Sequence, residues 1–206
     1  MANLAVLERN TVLSFDRQSF EEVCAELMRK TKRDGLPDLI VSIPTGGAFV
    51  AEAMVKVADR TVPVLPITCR RPSSRLKPGA GAVKRMIASL PRPALDRLRA
   101  LEHAILTRNA ATPPSAPYRF IEEELSGFDA WVRSAPRAAS ILIVDDAVDS
   151  GATLMQVVEQ VRRRVPPDAT VRSAAITVTT TRPLAMPDYS LFYRQLCRFP
   201  WALDAG

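Results

Sequence analysis

The chain has 206 residues, enough for one domain, or one domain with an elaboration, and a substantial core. Hydrophobic residues make up 47% and charged residues 24%, ordinary globular usage that excludes a disordered chain. The formal net charge of +6 and a pI of about 9.6 point to an anionic partner, a polyphosphate or nucleotide ahead of a nucleic acid.

The opening MANLAVLERNTVLSFDR brings in acidic residues early and has no uninterrupted apolar core, so no signal peptide is expected. No stretch reaches the roughly 20 apolar residues a membrane span needs, and a cytoplasmic location is the expectation. Ser19-Phe20-Glu21-Glu22 opens a predicted helix in which Phe20, Val23, Cys24, Leu27 and Met28 recur at helical spacing; Gly35 and Pro37 end it. Residues 39–43 are a short apolar run closed by Pro44 and read as a buried strand. Thr45-Gly46-Gly47 is a turn, residues 48–58 a helix with one apolar face, and residues 62–68 a second strand. That order is a βαβ unit, so the expected fold is α/β: a largely parallel twisted sheet flanked by helices. Ligands of such sheets bind outside the carboxyl ends of the strands, at the turn over 44–47 and in the residues after Thr68.

Residues 69–80, CRRPSSRLKPGA, form a predicted loop. Residues 81–107 have a helical pattern broken by Pro91 and Pro93, and residues 108–117 form another loop. Residues 118–132 show helical spacing at Phe120, Ile121, Leu125, Phe128 and Trp131, so the whole of 81–135 reads as a helical insertion. Residues 141–144 give the strongest strand signal, 152–165 the following helix, and 170–179 a further β-rich stretch. Pro187-Asp188-Tyr189 and Phe199-Pro200-Trp201 read as a small C-terminal hood over about 182–206 rather than another layer. No repeat is visible, and residues 1–206 read as a single domain.

Cys24, Cys69 and Cys197 are odd in number and lack C-x-x-C spacing, which argues against a disulfide framework or a zinc site. His103, the only histidine, sits in a charged run and reads as a surface residue; this argues against a multi-histidine metal site and a Ser-His-Asp triad. Neither G-x-x-x-x-G-K-[ST] nor G-x-G-x-x-G is present, against a P-loop kinase and a dinucleotide-dependent dehydrogenase.

The chemistry concentrates in residues 141–153, ILIVDDAVDSGAT. Asp145 and Asp146 emerge at the carboxyl end of a buried strand, where adjacent carboxylates can accept hydrogen bonds from the vicinal hydroxyls of a ribose. They can also stand near a hydrated Mg²⁺, an ion that prefers oxygen and keeps several waters. Ser150, Gly151, Ala152 and Thr153 open the next helix, where backbone N–H groups and hydroxyls make a cradle for one phosphate. Asp149 lies between the two and can reach a ring nitrogen of a base on the sugar. The plain alternative is a strand-to-helix turn capped by Asp149 or Ser150.

ILIVDDAVDSGAT resembles the phosphoribosyl-diphosphate-binding motif of type I phosphoribosyltransferases. The resemblance implies a ribose-hydroxyl clamp at Asp145 and Asp146, with Mg²⁺ near them through water. It implies a proton acceptor or donor for a purine at Asp149, and a 5-phosphate loop at Ser150, Gly151, Ala152 and Thr153. Ser42-Ile43-Pro44-Thr45-Gly46-Gly47 stands where the family has its diphosphate loop, with Thr45 in the place often held by Arg or Lys. Arg70, Arg71, Arg75 and Lys77 suit the family's second, closing loop, with Arg71 and Lys77 taken as catalytic. The C-terminal aromatics resemble the hood of purine-using members, in which Trp201 would stack on the base. The implied substrates are phosphoribosyl diphosphate and a nitrogenous base, a purine first, and a homodimer is the expected assembly. Two alternatives remain: a ribose-phosphate-binding regulator that has lost catalysis and uses its basic balance on nucleotide or nucleic acid, and a transferase for a non-purine acceptor.

Overall fold

The computed structural model describes residues 12–70 and 118–202. The chain runs β1 (Leu13–Ser14), α1 (Arg17–Thr31), a 3-10 turn (Lys32–Asp34), β2 (Leu39–Ser42), α2 (Gly46–Lys56), β3 (Val64–Pro66) and β4 (Cys69–Arg70). It continues with β5 (Arg119–Phe120), α3 (Glu122–Ser134), β6 (Ser140–Val148), α4 (Ala152–Arg162), β7 (Thr170–Val178), β8 (Tyr189–Tyr193) and β9 (Cys197–Arg198).

Five strands form a parallel sheet in the order β3-β2-β6-β7-β8. The chain winds outward in both directions from the β2–β6 boundary, through α2 to β3 on one side and through α4 to β7 on the other. Right-handed crossovers in opposite directions put their helices on opposite faces, and the core divides accordingly. Ile40, Leu142, Val144, Ala174 and Ile176 meet Phe20, Leu27, Val50 and Met54 of α1 and α2. Leu39, Val41, Ile141, Ile143 and Ala175 meet Leu125, Phe128, Leu154 and Val157 of α3 and α4. Burial on both faces explains why β2 reads as a continuous apolar run and not an alternating one. The largely parallel α/β sheet expected from the sequence is the fold observed.

Local chemistry sets the helix ends. Asp16 caps α1: its Oδ1 accepts from the Ser19 N–H at 2.8 Å, so this helix starts before the predicted Ser19-Phe20. Glu122, Glu123 and Glu124 occupy the first turn of α3, where acidic side chains complement the helix dipole. Glu124 also accepts from the Thr68 N–H at 2.5 Å and the Thr68 hydroxyl at 2.9 Å, tying α3 to the chain just before β4.

Several boundaries differ from the sequence reading. The helix expected over 48–58 begins at Gly46, and the strand expected over 62–68 is confined to Val64–Pro66. Residues 69–80 do not begin as a loop, nor do residues 118–132 begin as a helix. Cys69 and Arg70 pair antiparallel with Phe120 and Arg119, and the helix starts only at Glu122. The pairing lets Cys69 and Phe120 share one apolar side, and Ile121 stays extended before the acidic first turn. The hood reading needs the largest correction. Tyr189–Tyr193 is the fifth strand of the main sheet, with Ala174 opposite Tyr189, and Cys197–Arg198 pairs with Leu13–Ser14. Residues 81–107 and 108–117, His103, and the end of the hood beyond 202 lie outside the described residues.

Candidate functional site

β2 and β6 are neighbours at the centre of the sheet, and both end at the same edge before a turn and a helix. This is where the strand order reverses, the position at which open α/β sheets bind ligands. A cleft of about 330 Å³ lies there. Pro44, Thr45 and Gly46 form one wall, Asp145 and Asp146 the floor, and Asp149, Gly151 and Thr153 the other wall. The N-termini of α2 and α4 therefore both face one cleft, and each end of an aligned helix carries partial positive charge suited to an anion.

The glycines are fixed by close approaches. A Cβ on Gly46 would lie 2.1 Å from Cγ of Asp146, so the Asp146 carboxyl rests directly on the start of α2. A Cβ on Gly47 would lie 2.4 Å from the Val144 carbonyl oxygen, so this residue lets α2 pack onto β6. Its N–H is already donated to the Ile43 carbonyl at 3.1 Å. Gly151 has φ +74°, left-handed backbone that favours glycine, and a Cβ there would meet the Ala185 backbone at 2.6 Å. The Leu184 N–H donates to the Ser150 carbonyl at 2.7 Å on the same contact, so the loop after β7 is braced on the turn before α4. The Pro44–Thr45 peptide is cis.

β6 reaches Val148, four residues beyond the predicted run, so Asp145 and Asp146 belong to the strand itself. The Asp146 N–H donates to Oδ1 of Asp145 at 2.9 Å. Burial at the strand end pushes the Asp145 carboxyl well above the usual carboxylate range, and the neighbouring Asp146 charge adds to the shift. Asp146 is also raised, by burial first, while its hydrogen bond from Asp145 pulls the other way. Both carboxyls thus favour the protonated form more than a free aspartate does, Asp145 the more, and hydroxyl donors or a cation beside them would favour the ionised form instead. Asp149 is exposed, and its Oδ1 accepts from the Thr179 hydroxyl at 2.6 Å. It does not cap α4; the Ser150 hydroxyl accepts a long bond from the Ala152 N–H at 3.4 Å.

The cleft thus unites Asp145, Asp146, Asp149, Gly151 and Thr153 with Thr45 and Gly46. Ser150 and Ala152 belong to the same turn without lining the wall, and Gly47 sits behind it. Arg70 is exposed on β4 next to the cleft-lining Cys69 and lies opposite Arg119. Arg71, Arg75 and Lys77 lie outside the described residues. Trp201 is not brought to the cleft. Its indole stacks on Phe49 at 4.6 Å and on Phe199 at 5.0 Å, with Phe20 edge-on at 5.0 Å, on the α1–α2 side. There it lines a separate hollow with Phe49 and Pro200, so aromatic packing has claimed the side chain expected to stack on a base. The sequence reading missed Thr179, Leu184 and Ala185, which act across the sheet edge and leave no local pattern. Among the described residues no group of three or more His, Cys, Asp or Glu could cage a metal, and no helix is long and apolar enough to cross a membrane.

The sheet order, the helices on both faces and the cleft at the strand reversal define the class: a doubly wound α/β protein with its ligand site at the switch point. The family follows from the sequence as a whole. The phosphoribosyl transferase domain model matches residues 14–202, and the chain belongs to that family, pentosyltransferases by class. No curated protein sequence matches it. Among solved structures it is similar to a purine phosphoribosyltransferase from Pyrococcus horikoshii Ot3, at 16% identity and a TM-score of 0.55 over 92% of each chain. It is similar to the Helicobacter pylori xanthine-guanine-hypoxanthine phosphoribosyltransferase, at 16% identity and 0.57 over 94% of this chain and 95% of that one. A hypothetical protein from Neisseria gonorrhoeae with bound ppGpp gives 16% identity and 0.58 over 95% of this chain and 93% of that one. These likenesses are of fold.

Proposed function

We propose that this protein transfers the phosphoribosyl group of phosphoribosyl diphosphate to a nitrogenous base, a purine, with release of diphosphate. The observation that carries this reading is the Asp145–Asp146 pair held between two helix N-termini in a single cleft. Asp145 and Asp146 accept hydrogen bonds from the two ribose hydroxyls, and the turn from Ser150 to Thr153 holds the 5-phosphate. Thr45 and Gly46 at the start of α2 receive the diphosphate, and Arg70, Arg71, Arg75 and Lys77 supply cations to it. The bond from C1 to the diphosphate oxygen breaks with its electron pair leaving on the diphosphate, and a ring nitrogen bonds to C1. The proton of that base passes to Asp149. The protein forms no covalent bond; it orients both reactants and stabilises the leaving group.

Two adjoining carboxyls whose affinity for protons is raised form a donor set that suits Mg²⁺ arriving with its waters on the diphosphate, rather than an ion caged by protein alone. Bound there, Mg²⁺ would neutralise charge on the leaving group. A homodimer fits the 40% exposed Phe49 on the aromatic face, and a cytoplasmic location fits three free cysteines.

The test is diphosphate release from phosphoribosyl diphosphate, Mg²⁺ and a panel of bases, expected to fall at least about a hundredfold in Asp146→Asn. Release from no base would sink the reading. A second reading, a ribose-phosphate-binding regulator, is favoured by the absence of any Lys or Arg among the described cleft-lining residues and by Thr45 in the diphosphate loop. It predicts nucleotide binding without release, and ppGpp, present in the Neisseria neighbour, is the first ligand to try.

A further inference from the structure

Asp149, on the cleft wall, does not stand alone. The strand β7 ends beside it, and the first residue past that strand, Thr179, is anchored by its N–H to the Val148 carbonyl at 3.0 Å. Its hydroxyl lies 2.6 Å from Oδ1 of Asp149 and 3.5 Å from the Val148 carbonyl. A threonine hydroxyl has one proton to give. The short bond to a carboxylate takes it, because charge-assisted bonds are about twice as strong as neutral ones. Both donors of Thr179 are then spent. Asp149 keeps Oδ2, Thr179 keeps a lone pair, and the two offer acceptors side by side with no donor. Among the described residues no cation pairs with Asp149, and the titratable groups that face it are the carboxyls of Asp145 and Asp146.

We propose that the Asp149–Thr179 pair selects a base presenting two neighbouring N–H donors, an amino group beside a ring N–H, over one carrying an oxo group at that position. For purines this means a 6-aminopurine over a 6-oxopurine. The inference rests on the phosphoribosyl-transfer reading and narrows its acceptor. Asp149 takes the ring N–H that both kinds of base can offer, and Thr179 meets the substituent. An amino group gives Thr179 a hydrogen bond. An oxo group faces a lone pair, and turning the hydroxyl outward to suit it would abandon the bond to Asp149. Sites that hydrogen-bond one substituent reject the analogue lacking it far more strongly than sites that merely fit its shape.

Adenine and hypoxanthine should be compared as acceptors with phosphoribosyl diphosphate and Mg²⁺, following diphosphate release. The kcat/KM for adenine is expected to exceed that for hypoxanthine by about tenfold or more. Thr179→Val keeps the shape, loses the lone pair and should bring the ratio towards one, with the KM for phosphoribosyl diphosphate unchanged. Thr179→Ser should restore the ratio, which a purely structural role would not require. A wild-type preference for hypoxanthine, or a ratio untouched by Thr179→Val, overturns the inference; a donor such as the exposed Arg182 would then be reading the oxo group. Release with neither base, nor with any other, sinks the transfer reading instead. The pair is then tested by thermal protection, with AMP expected to raise the melting temperature above the value with IMP, and the reverse order overturning it.

Discussion

Residues 140–162 and residues 181–202 touch at Ser150 and Leu184, 2.7 Å apart, yet they are built by different rules. In the first, strand, turn and helix follow one another and every candidate functional group lies on consecutive residues. The turn demands a glycine at φ +74°, the helix start demands small residues, and the strand demands aliphatics. In the second, the side chains that anchor the segment find partners outside it. Tyr189 donates to Asp34 and accepts from Arg172 at 3.0 Å, Asp188 accepts from Ser173 at 2.7 Å, and Trp201 stacks on Phe49. A motif is readable where backbone geometry restricts the residue types. An aromatic residue near the end of a chain carries no such restriction, and only the packing decides whether it meets a ligand or a helix.

The contrast can be broken at several points. Gly46→Ala should have the largest effect, because the new methyl lands 2.1 Å from the Asp146 carboxyl. A fall of at least about a hundredfold in kcat/KM is expected, near 3 kcal/mol in transition-state terms. The control is Gly127→Ala on α3, where a Cβ meets open space, and activity should hold. Trp201→Ala should do the converse. Loss of its three ring contacts should destabilise the fold by about 3 kcal/mol in denaturant titration, while the KM for the base stays within about twofold. A tenfold rise in that KM would return Trp201 to the cleft.

Asp145→Asn separates binding from stability. In the empty folded protein the Asp145 carboxyl titrates above its ordinary range, so the folded state keeps a proton that the unfolded chain has released. Stability is then fullest at low pH and falls as pH rises through the raised value. Asparagine removes that loss and should raise the melting temperature of the empty protein at neutral pH by a few degrees, about 2–4 °C per kcal/mol at this chain length. The same change should abolish protection by phosphoribosyl diphosphate. In the wild type that protection should strengthen as pH rises, because hydroxyl donors need the ionised carboxylates. A melting temperature lowered by Asp145→Asn would contradict the assignment. The smallest effect expected is at the far end of the molecule: Asp16→Ala removes the cap of α1 and should cost about 1 kcal/mol with no change in turnover.

The βαβ order, the parallel sheet and the carboxyl-edge location of the site were all legible, because apolar runs, Pro44 and the glycines mark them directly. Asp145, Asp146, Asp149, Gly151, Thr153, Thr45 and Gly46 were singled out from sequence, and they converge on one cleft. The fifth strand was not legible, since Tyr-Ser-Leu-Phe-Tyr lies at the sheet edge with only Tyr189 buried. Neither was the short β4–β5 pairing, whose two residues per strand are too few for any periodicity. Thr179 was passed over as the end of a β-rich stretch, because what distinguishes it is the turn opposite and not its own neighbours.

The β4–β5 pairing has a consequence for how this chain can change. It brings the residue before position 71 and a residue just after position 117 to one point, Arg70 facing Arg119, while Glu124 fastens Thr68 beside them. Whatever joins those ends is closed by the ladder and not by the sheet. The five-strand sheet makes no use of this ladder, so its register is set independently of the point where the two ends meet, next to Cys69 on the cleft wall. One rim of the cleft is thus pinned from outside the main sheet, and a change at that rim need not propagate into the five strands.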